Sequence, residues 1–245
     1  MLNTLEYGDA ALPKLLIAHG LFGSARNWGV ISKRLSDVRH VVAADMRNHG
    51  ESPRYPSQSY ADMAGDLDAL LDGPADVLGH SMGGKAAMVM ALAHPEKVRR
   101  LVVADIAPVA YEHSQSHHIA AMKALDLDRI ETRSQAGEML DADDEVRDFF
   151  LQSLDVQGKR WRLNLDVLEQ EMPKILGFPD VSGQFAGPAL FLTGAASDYV
   201  QPEHRDRIKA LFPKARFAKI SGAGHWLHAQ QPRAFEQTVR AFLTA

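Results

Sequence analysis

The chain has 245 residues, 46% of them hydrophobic and none of them cysteine, which is enough apolar material for a core of ordinary α/β size but allows no disulfide framework, thiolate nucleophile or cysteine-ligated metal. Its formal charge is −4, with 27 Lys and Arg dispersed among 31 Asp and Glu, so no basic field exists for nucleic acid or an anionic lipid surface. No apolar run approaches the ~20 residues of a membrane span, and 15–18 is too short for the apolar part of a signal peptide; a cytoplasmic monomer or homodimer is expected.

Leu15-Leu16-Ile17-Ala18 is an uninterrupted apolar run ending at His19-Gly20-Leu21-Phe22-Gly23. It reads as a central parallel strand feeding a glycine-bearing loop, with Ser24 placed to cap a helix through Trp28, Ile31 and Leu35. Val41 to Ala44 repeats the pattern and ends in the polar loop Asp45 to Ser52, closed by Pro53. After Ser59, apolar residues recur at helical spacing from Tyr60 to Leu71. Asp76-Val77-Leu78 is a third short strand, running into Gly79-His80-Ser81-Met82-Gly83, and Gly84 to His94 reads as a helix stopped by Pro95. Leu101 to Ala104 is a fourth strand, ending at Asp105. Strands alternating with helices at this rhythm predict right-handed crossovers, a mostly parallel sheet, and function at the carboxyl ends of the strands.

From Ala107 to Gly187 the rhythm changes. No long β-branched run appears, and the stretches around 119–125, 145–154 and 165–176 read as amphipathic helices, with a turn signal at Gly158-Lys159. The expected organisation is a core of residues 1–106 and 188–245 carrying a helical cap at 107–187. The sheet pattern resumes at Ala189 to Thr193, a helix follows from Pro202 to Phe212, and Arg216 to Ile220 alternates as a last strand. Then come Gly222-Ala223-Gly224-His225-Trp226-Leu227-His228 and a closing helix from Pro232 to Leu243.

Residues 79–83 fit G-x-S-x-G, the spacing of a nucleophile elbow. A serine on so tight a turn has crowded neighbours two residues away on each side, where only glycine leaves room. About 0.1 such matches are expected by chance in a chain of this length, so the flanks decide, and strand, elbow and helix occur in the order acyl transfer requires. Ser81 is the expected nucleophile. A serine hydroxyl needs a neutral imidazole to take its proton, and the imidazole needs a carboxylate. Among the 11 histidines, His225 is best placed, on a glycine-flexed loop after the last strand, with His228 the fallback. Asp198, after the Phe191 strand, and Asp105, at the tip of the strand after the elbow helix, both suit the acid. The oxyanion donors would be the backbone amides of Leu21 and Met82. Leu21, Phe22, Met82 and Trp226 would make the acyl pocket apolar; Phe149, Phe150 and Trp161 would form the cap's inner face or its own small core. His113, His117 and His118 lack a metal-ligand motif and read as a solvated helix face, and Asp45-Met46-Arg47 as loop bracing.

With 19–24, 45–50, 79–85, 105–109 (Asp-Ile-Ala-Pro-Val) and 222–226 together, the chain resembles the α/β-hydrolases along nearly its whole length, and more narrowly the bacterial YbfF-type carboxylesterases. The resemblance implies an α/β fold with a mostly parallel sheet of about eight strands, a helical cap, and hydrolysis of acyl esters without cofactor or metal. It also implies Asp105 as the acid, although the family often lacks an aspartate at the later loop and this chain has Asp198 there as the alternative. The expected function is a serine hydrolase of short- to medium-chain carboxylic esters, acting through a Ser-His-Asp triad and an acyl-enzyme on a small-molecule substrate. Thioesterase, lactonase or perhydrolase chemistry on the same triad, or a non-catalytic receptor on the hydrolase fold, are the alternatives.

Overall fold

The computed structural model describes residues 1–245, the side chain of Glu145 excepted. In chain order the core begins with β1 (Thr4–Tyr7), β2 (Lys14–Ala18), α1 (Gly29–Leu35), β3 (His40–Ala44), α2 (Tyr60–Asp68), β4 (Ala75–His80), α3 (Met82–Ala93) and β5 (Val98–Ala104). The inserted segment contains α4 (Ser116–Ala124), α5 (Arg133–Met139), α6 (Asp144–Leu151), the short strands β6 (Leu154–Asp155) and β7 (Arg160–Trp161), α7 (Leu165–Gln170) and α8 (Met172–Leu176). The core then resumes with β8 (Ala189–Gly194), α9 (His204–Leu211), β9 (Ala215–Ile220), α10 (Leu227–Gln230) and α11 (Pro232–Thr244).

The central sheet has the order β1-β3-β2-β4-β5-β8-β9, with β1 antiparallel to β3 and every other pair parallel. Successive residues of a strand point to opposite faces, and here both faces are covered. Leu16, Val42, Val77, Val103 and Phe191 pack with Met63, Leu67 and Met88 of α2 and α3. Their neighbours Leu15, Val41, Leu78, Val102 and Leu190 pack with Ile31 and Leu35 of α1 and Phe235 and Val239 of α11. Two helix layers on one sheet explain why the strands read as apolar runs rather than alternations.

The sheet has seven strands where the resemblance implied about eight. Its edge strand β1 is half-exposed and pairs on one side only, which is also why its short mixed pattern gave no strand signal. The inserted segment is not purely helical. β6 and β7 form an antiparallel hairpin, and Gly158-Lys159 turns that hairpin, with Lys159 at φ 50°, instead of joining two helices. The single helix expected over 165–176 is two, restarted at Met172 with Pro173 in its first turn, where the missing N–H of proline costs nothing. No helix among the described residues is long and apolar enough to cross a membrane.

The strand-to-helix turn between β4 and α3 is the tightest joint. A Cβ built on Gly79 would lie 2.2 Å from the Gly83 carbonyl oxygen, and one on Gly83 2.4 Å from the Ala18 oxygen of β2. Both are backbone contacts that no side-chain rotation relieves. Gly83→Ala should therefore destabilise the fold by about 2 kcal/mol or more in urea unfolding. Gly65→Ala, in α2 where a Cβ meets nothing within 4 Å, should be neutral or stabilising by up to about 1 kcal/mol. Equal stability of the two variants would contradict this account of the joint.

Candidate active site

β4 delivers Ser81 to the turn into α3 at φ 51° and ψ −121°, outside the regions L-residues ordinarily adopt. The turn is held by the Ser81 N–H on the Ala104 carbonyl and the Lys85 N–H on the Ser81 carbonyl, both at 3.0 Å. His225, on the loop after β9, has Nε2 3.1 Å from Ser81 Oγ and Nδ1 2.8 Å from Asp105 Oδ2. A carboxylate only accepts, so Nδ1 carries the proton and Nε2 presents a lone pair to the serine hydroxyl. Asp105, at the tip of β5, is fully buried and also has positive φ, 54°. The Gly194 N–H at 3.0 Å and the Ser197 hydroxyl donate to it as well, so the buried carboxylate has three donors. The histidine loop and the β8 turn can meet because residue 194 is glycine, where a Cβ would lie 2.1 Å from the Gly224 oxygen.

The structure thus brings Ser81, His225 and Asp105 into one chain of hydrogen bonds and leaves Asp198 out of it. Asp198 is exposed, past the turn where Ser197 N–H bonds the Gly194 carbonyl at 3.2 Å, and among the described residues it has no bond to His225. His228 is also apart. It sits on the short α10, stacked on Trp28 with centroids 4.3 Å apart.

The loop 19–23 is fixed by two buried histidines. His19 Nδ1–H donates to the Gly20 carbonyl at 2.8 Å while its Nε2 accepts the Met46 N–H at 2.9 Å. His49 Nδ1–H donates to the Arg47 carbonyl at 2.8 Å, and its Nε2 accepts the Phe22 N–H at 3.3 Å. Gly23 N–H bonds the Gly20 carbonyl. With Phe22 and Gly23 so engaged, the Leu21 N–H, like that of Gly20, has no protein acceptor among the described residues. Met82, first residue of α3, lacks an intrahelical acceptor by position. His80 donates from Nε2 to the His225 carbonyl at 2.8 Å, tying the elbow to the histidine loop. Burial pushes His49 and His228 down to about 3; burial also lowers His19, and burial with histidine neighbours lowers His80; all four are neutral imidazoles.

Above Ser81 lies a cavity of about 330 Å³ shared by core and inserted segment. Leu21, Phe22, Met82, Phe149, Phe150 and Trp226 line it. Trp161, expected with them, does not: it is buried in the inserted segment, where its Nε1–H donates to the Met122 carbonyl at 2.9 Å. The cavity's one Lys or Arg among the described residues is Lys85. Its ammonium donates to the Leu176 carbonyl at 2.8 Å and the Gly177 carbonyl at 2.6 Å, clamping the end of α8, and burial lowers it to about 7. Its signal in the sequence was a lysine inside the otherwise apolar helix 82–93 with no acidic residue a turn away. Ser197 gave no signal, since it lies 92 residues from the carboxylate it contacts.

Asp45 and Arg47 brace loops separately. Asp45 accepts the Ala25 and Glu51 N–H groups, and Arg47 holds Asp66 through Nε at 2.6 Å and Nη2 at 3.0 Å. His113 packs on Tyr111 and Tyr199, away from the His117 and His118 pair. No group of three or more His, Asp or Glu among the described residues converges as metal ligands.

An open, mostly parallel sheet with a strained serine at a strand-to-helix turn, met by an aspartate at the tip of the adjacent strand and a histidine on the loop after the last strand, defines the architecture of proteins built around a nucleophile elbow. The family model of the alpha/beta hydrolase fold matches residues 13–232, and the chain belongs to that family. It is 43% identical over 259 residues to the sn-1-specific diacylglycerol lipase ABHD11 of Mus musculus, covering 98% of this chain and 84% of the relative. It is 40% identical over 238 residues to Esterase YbfF of Escherichia coli (strain K12), covering 94% and 92%. A solved marine microorganism esterase superposes with a TM-score of 0.93 at 39% identity, covering 98% of each chain.

The buried neutral histidines predict acid sensitivity. In the unfolded chain each takes up a proton near its ordinary value of about 6.5, while in the fold burial holds it unprotonated to much lower pH. Stability present above about pH 6.5 is therefore lost as pH falls toward the lowered folded values, about 3 for His49 and His228. Urea unfolding should show a drop of about 1 kcal/mol or more between about pH 6.5 and pH 5.5, above the range where carboxylates titrate. A flat profile across that interval would show that these rings are not buried neutral.

Proposed function

We propose that the chain is a cofactor-independent serine hydrolase that cleaves carboxylic esters, with Ser81 as nucleophile, His225 as general base and Asp105 as the acid of the triad. The observation that carries this reading is the continuous Asp105–His225–Ser81 hydrogen-bond chain, 2.8 Å and 3.1 Å, opening into the cavity. The relatives named as esterases and lipases support the reaction class.

Ser81 Oγ attacks the ester carbonyl as its proton passes to His225 Nε2, and the buried Asp105 carboxylate faces the resulting imidazolium. The amides of Leu21 and Met82 receive the oxyanion; preorganised donors in a site closed to water are worth about 3 kcal/mol each. Collapse of the tetrahedral intermediate expels the alcohol, protonated by His225 Nε2, and leaves the acyl group on Ser81. Water then repeats the sequence in reverse, giving up its proton to His225 and releasing the acid. The segment 107–187 acts as a cap whose side chains, Phe149 and Phe150 among them, form with Phe22 and Trp226 an apolar compartment suited to short and medium acyl chains. Asp198 serves the loop surface and not the reaction.

Hydrolysis of a p-nitrophenyl ester series of rising acyl length tests this. Ser81→Ala should lower kcat by on the order of 10⁴ to 10⁶, Asp105→Asn by on the order of 10⁴, and Asp198→Asn by less than about twofold. Collapse on Asp198→Asn with Asp105→Asn nearly intact would reverse the assignment of the acid. Undiminished turnover by Ser81→Ala would remove the triad altogether.

A further inference from the structure

Beside its bonds to Asp105 and Ser81, the His225 ring has a third partner. The Tyr199 ring stacks on it with centroids 3.9 Å apart and planes 18° from parallel. The remaining neighbours are His80, tilted at 4.8 Å, and Trp226, edge-on at 5.7 Å. Neither lies flat on the imidazole, and burial keeps His80 neutral.

Tyr199 is held in place from both sides of the acid. Its carbonyl accepts the Tyr111 hydroxyl at 2.7 Å, and that same hydroxyl accepts the Ala107 N–H at 2.9 Å, two residues past Asp105. Its own N–H donates to Ser197 Oγ at 3.3 Å, and Ser197 in turn donates to Asp105. The loop carrying the stacked ring is thus pinned to the strand tip carrying the carboxylate. The phenol stays protonated, since burial, with Asp198 and Asp105 nearby, pushes it up to about 12, so the ring presents an uncharged π face with negative quadrupole.

We infer that Tyr199 is a positioning residue for the base, its ring fixing the plane of the His225 imidazole and stabilising the imidazolium that forms when Ser81 gives up its proton. This rests on the proposed roles of Ser81 and His225. A cation within about 6 Å of an aromatic face is attracted to it, more strongly where water is excluded, and here the charge arises at 3.9 Å centroid separation only as the reaction proceeds. An interaction that strengthens in the transition state acts on kcat and not on substrate affinity. The work is done by the ring; the hydroxyl is dispensable.

The test uses two reactions of the full chain: turnover of p-nitrophenyl butyrate, and single phosphonylation by a fluorophosphonate probe. In the second, Ser81 Oγ bonds to phosphorus, fluoride leaves, and the hydroxyl proton passes to His225 Nε2, so the base is assayed without any ester. Tyr199→Leu should lower kcat and the limiting phosphonylation rate by about 3- to 30-fold, with KM and probe half-saturation within about twofold of wild type. Tyr199→Phe should stay within about twofold of wild type in every constant. Should Tyr199→Leu lose its native circular dichroism, Tyr199→Met replaces it with the same expectation. The inference is overturned if the aliphatic variants keep wild-type rates, if their loss lies in KM and half-saturation, or if Tyr199→Phe falls as far as they do. Phosphonylation of wild type without ester turnover would overturn the ester-hydrolase reading while still deciding the role of Tyr199. A wild-type Ser81 inert to both reagents overturns the two together.

Discussion

The molecule depends on how closely its backbone approaches itself under Ser81. A Cβ on Gly83 would collide with the Ala18 oxygen, and one on Gly20 would come within 2.9 Å of His80 Nδ1 and 3.2 Å of Ser81 Cβ. One glycine belongs to the elbow helix and the other to the loop fed by β2. The two close approaches together set the separation between the elbow serine and the Leu21 amide. Ser81 remains at its strained φ and ψ because the β4–β5 ladder continues through it to Ala104 and α3 begins directly after it. Strain of this kind, of order 1–3 kcal/mol, survives only where surrounding structure over-determines it, and here two strands and a helix do so.

Around that joint the chain uses neutral histidines as connectors. A neutral imidazole donates from one nitrogen and accepts at the other, so a buried one can join two backbone segments with full hydrogen bonding and no net charge. His19 and His49 use both nitrogens in this way on the loop 19–23, and His80 spans from the elbow to the His225 carbonyl. A lysine or arginine in these places would set a permanent positive charge beside a base that must itself become positive. The depressed values of these rings follow from their burial, so the rings themselves add no positive charge beside the proposed triad.

Much of this was legible in the sequence, for reasons that differ by element. β2, β3, β4, β5 and β8 announce themselves because both faces of each are buried. Ser81 and His225 are legible because the glycines that permit their turns are themselves written in the chain. The half-exposed β1 pairs along one edge only, and its four residues carry no such run. The break at Met172 is marked only by Pro173, within an otherwise continuous apolar periodicity. Trp161 stays open between two places in the sequence because an apolar residue in an insertion looks the same whether it faces the cavity or the insertion's own core; its Nε1–H on the Met122 carbonyl separates the two cases. Asp105 and Asp198 both follow strands, so spacing could not choose between them. The structure separates them by burial, because Asp105 gathers donors from two other loops while Asp198 faces water.

The seat of the inserted segment has a consequence for how the proposed site selects substrates. The core holds this segment in part by its backbone: Tyr60 Oη–H on the Ile175 carbonyl at 2.6 Å, Lys85 on the carbonyls of Leu176 and Gly177, and Arg54 on those of Leu163 and Trp161. Contacts of this kind do not read the side chains of the segment, so cavity-facing residues of α6 such as Val146 and Phe149 can change without unseating it. α6 is different at its end. There Asn27 Nδ2 reaches Gln152 Oε1 at 2.5 Å and Ser153 Oγ–H donates to the Phe22 carbonyl at 3.0 Å. Phe22 follows the Leu21 amide directly and has positive φ, 65°, so the turn that aims this amide is bonded to the helix that roofs the cavity. A substrate large enough to displace α6 would disturb the proposed oxyanion donor as well, so under this reading acyl size would bear on rate as well as on binding.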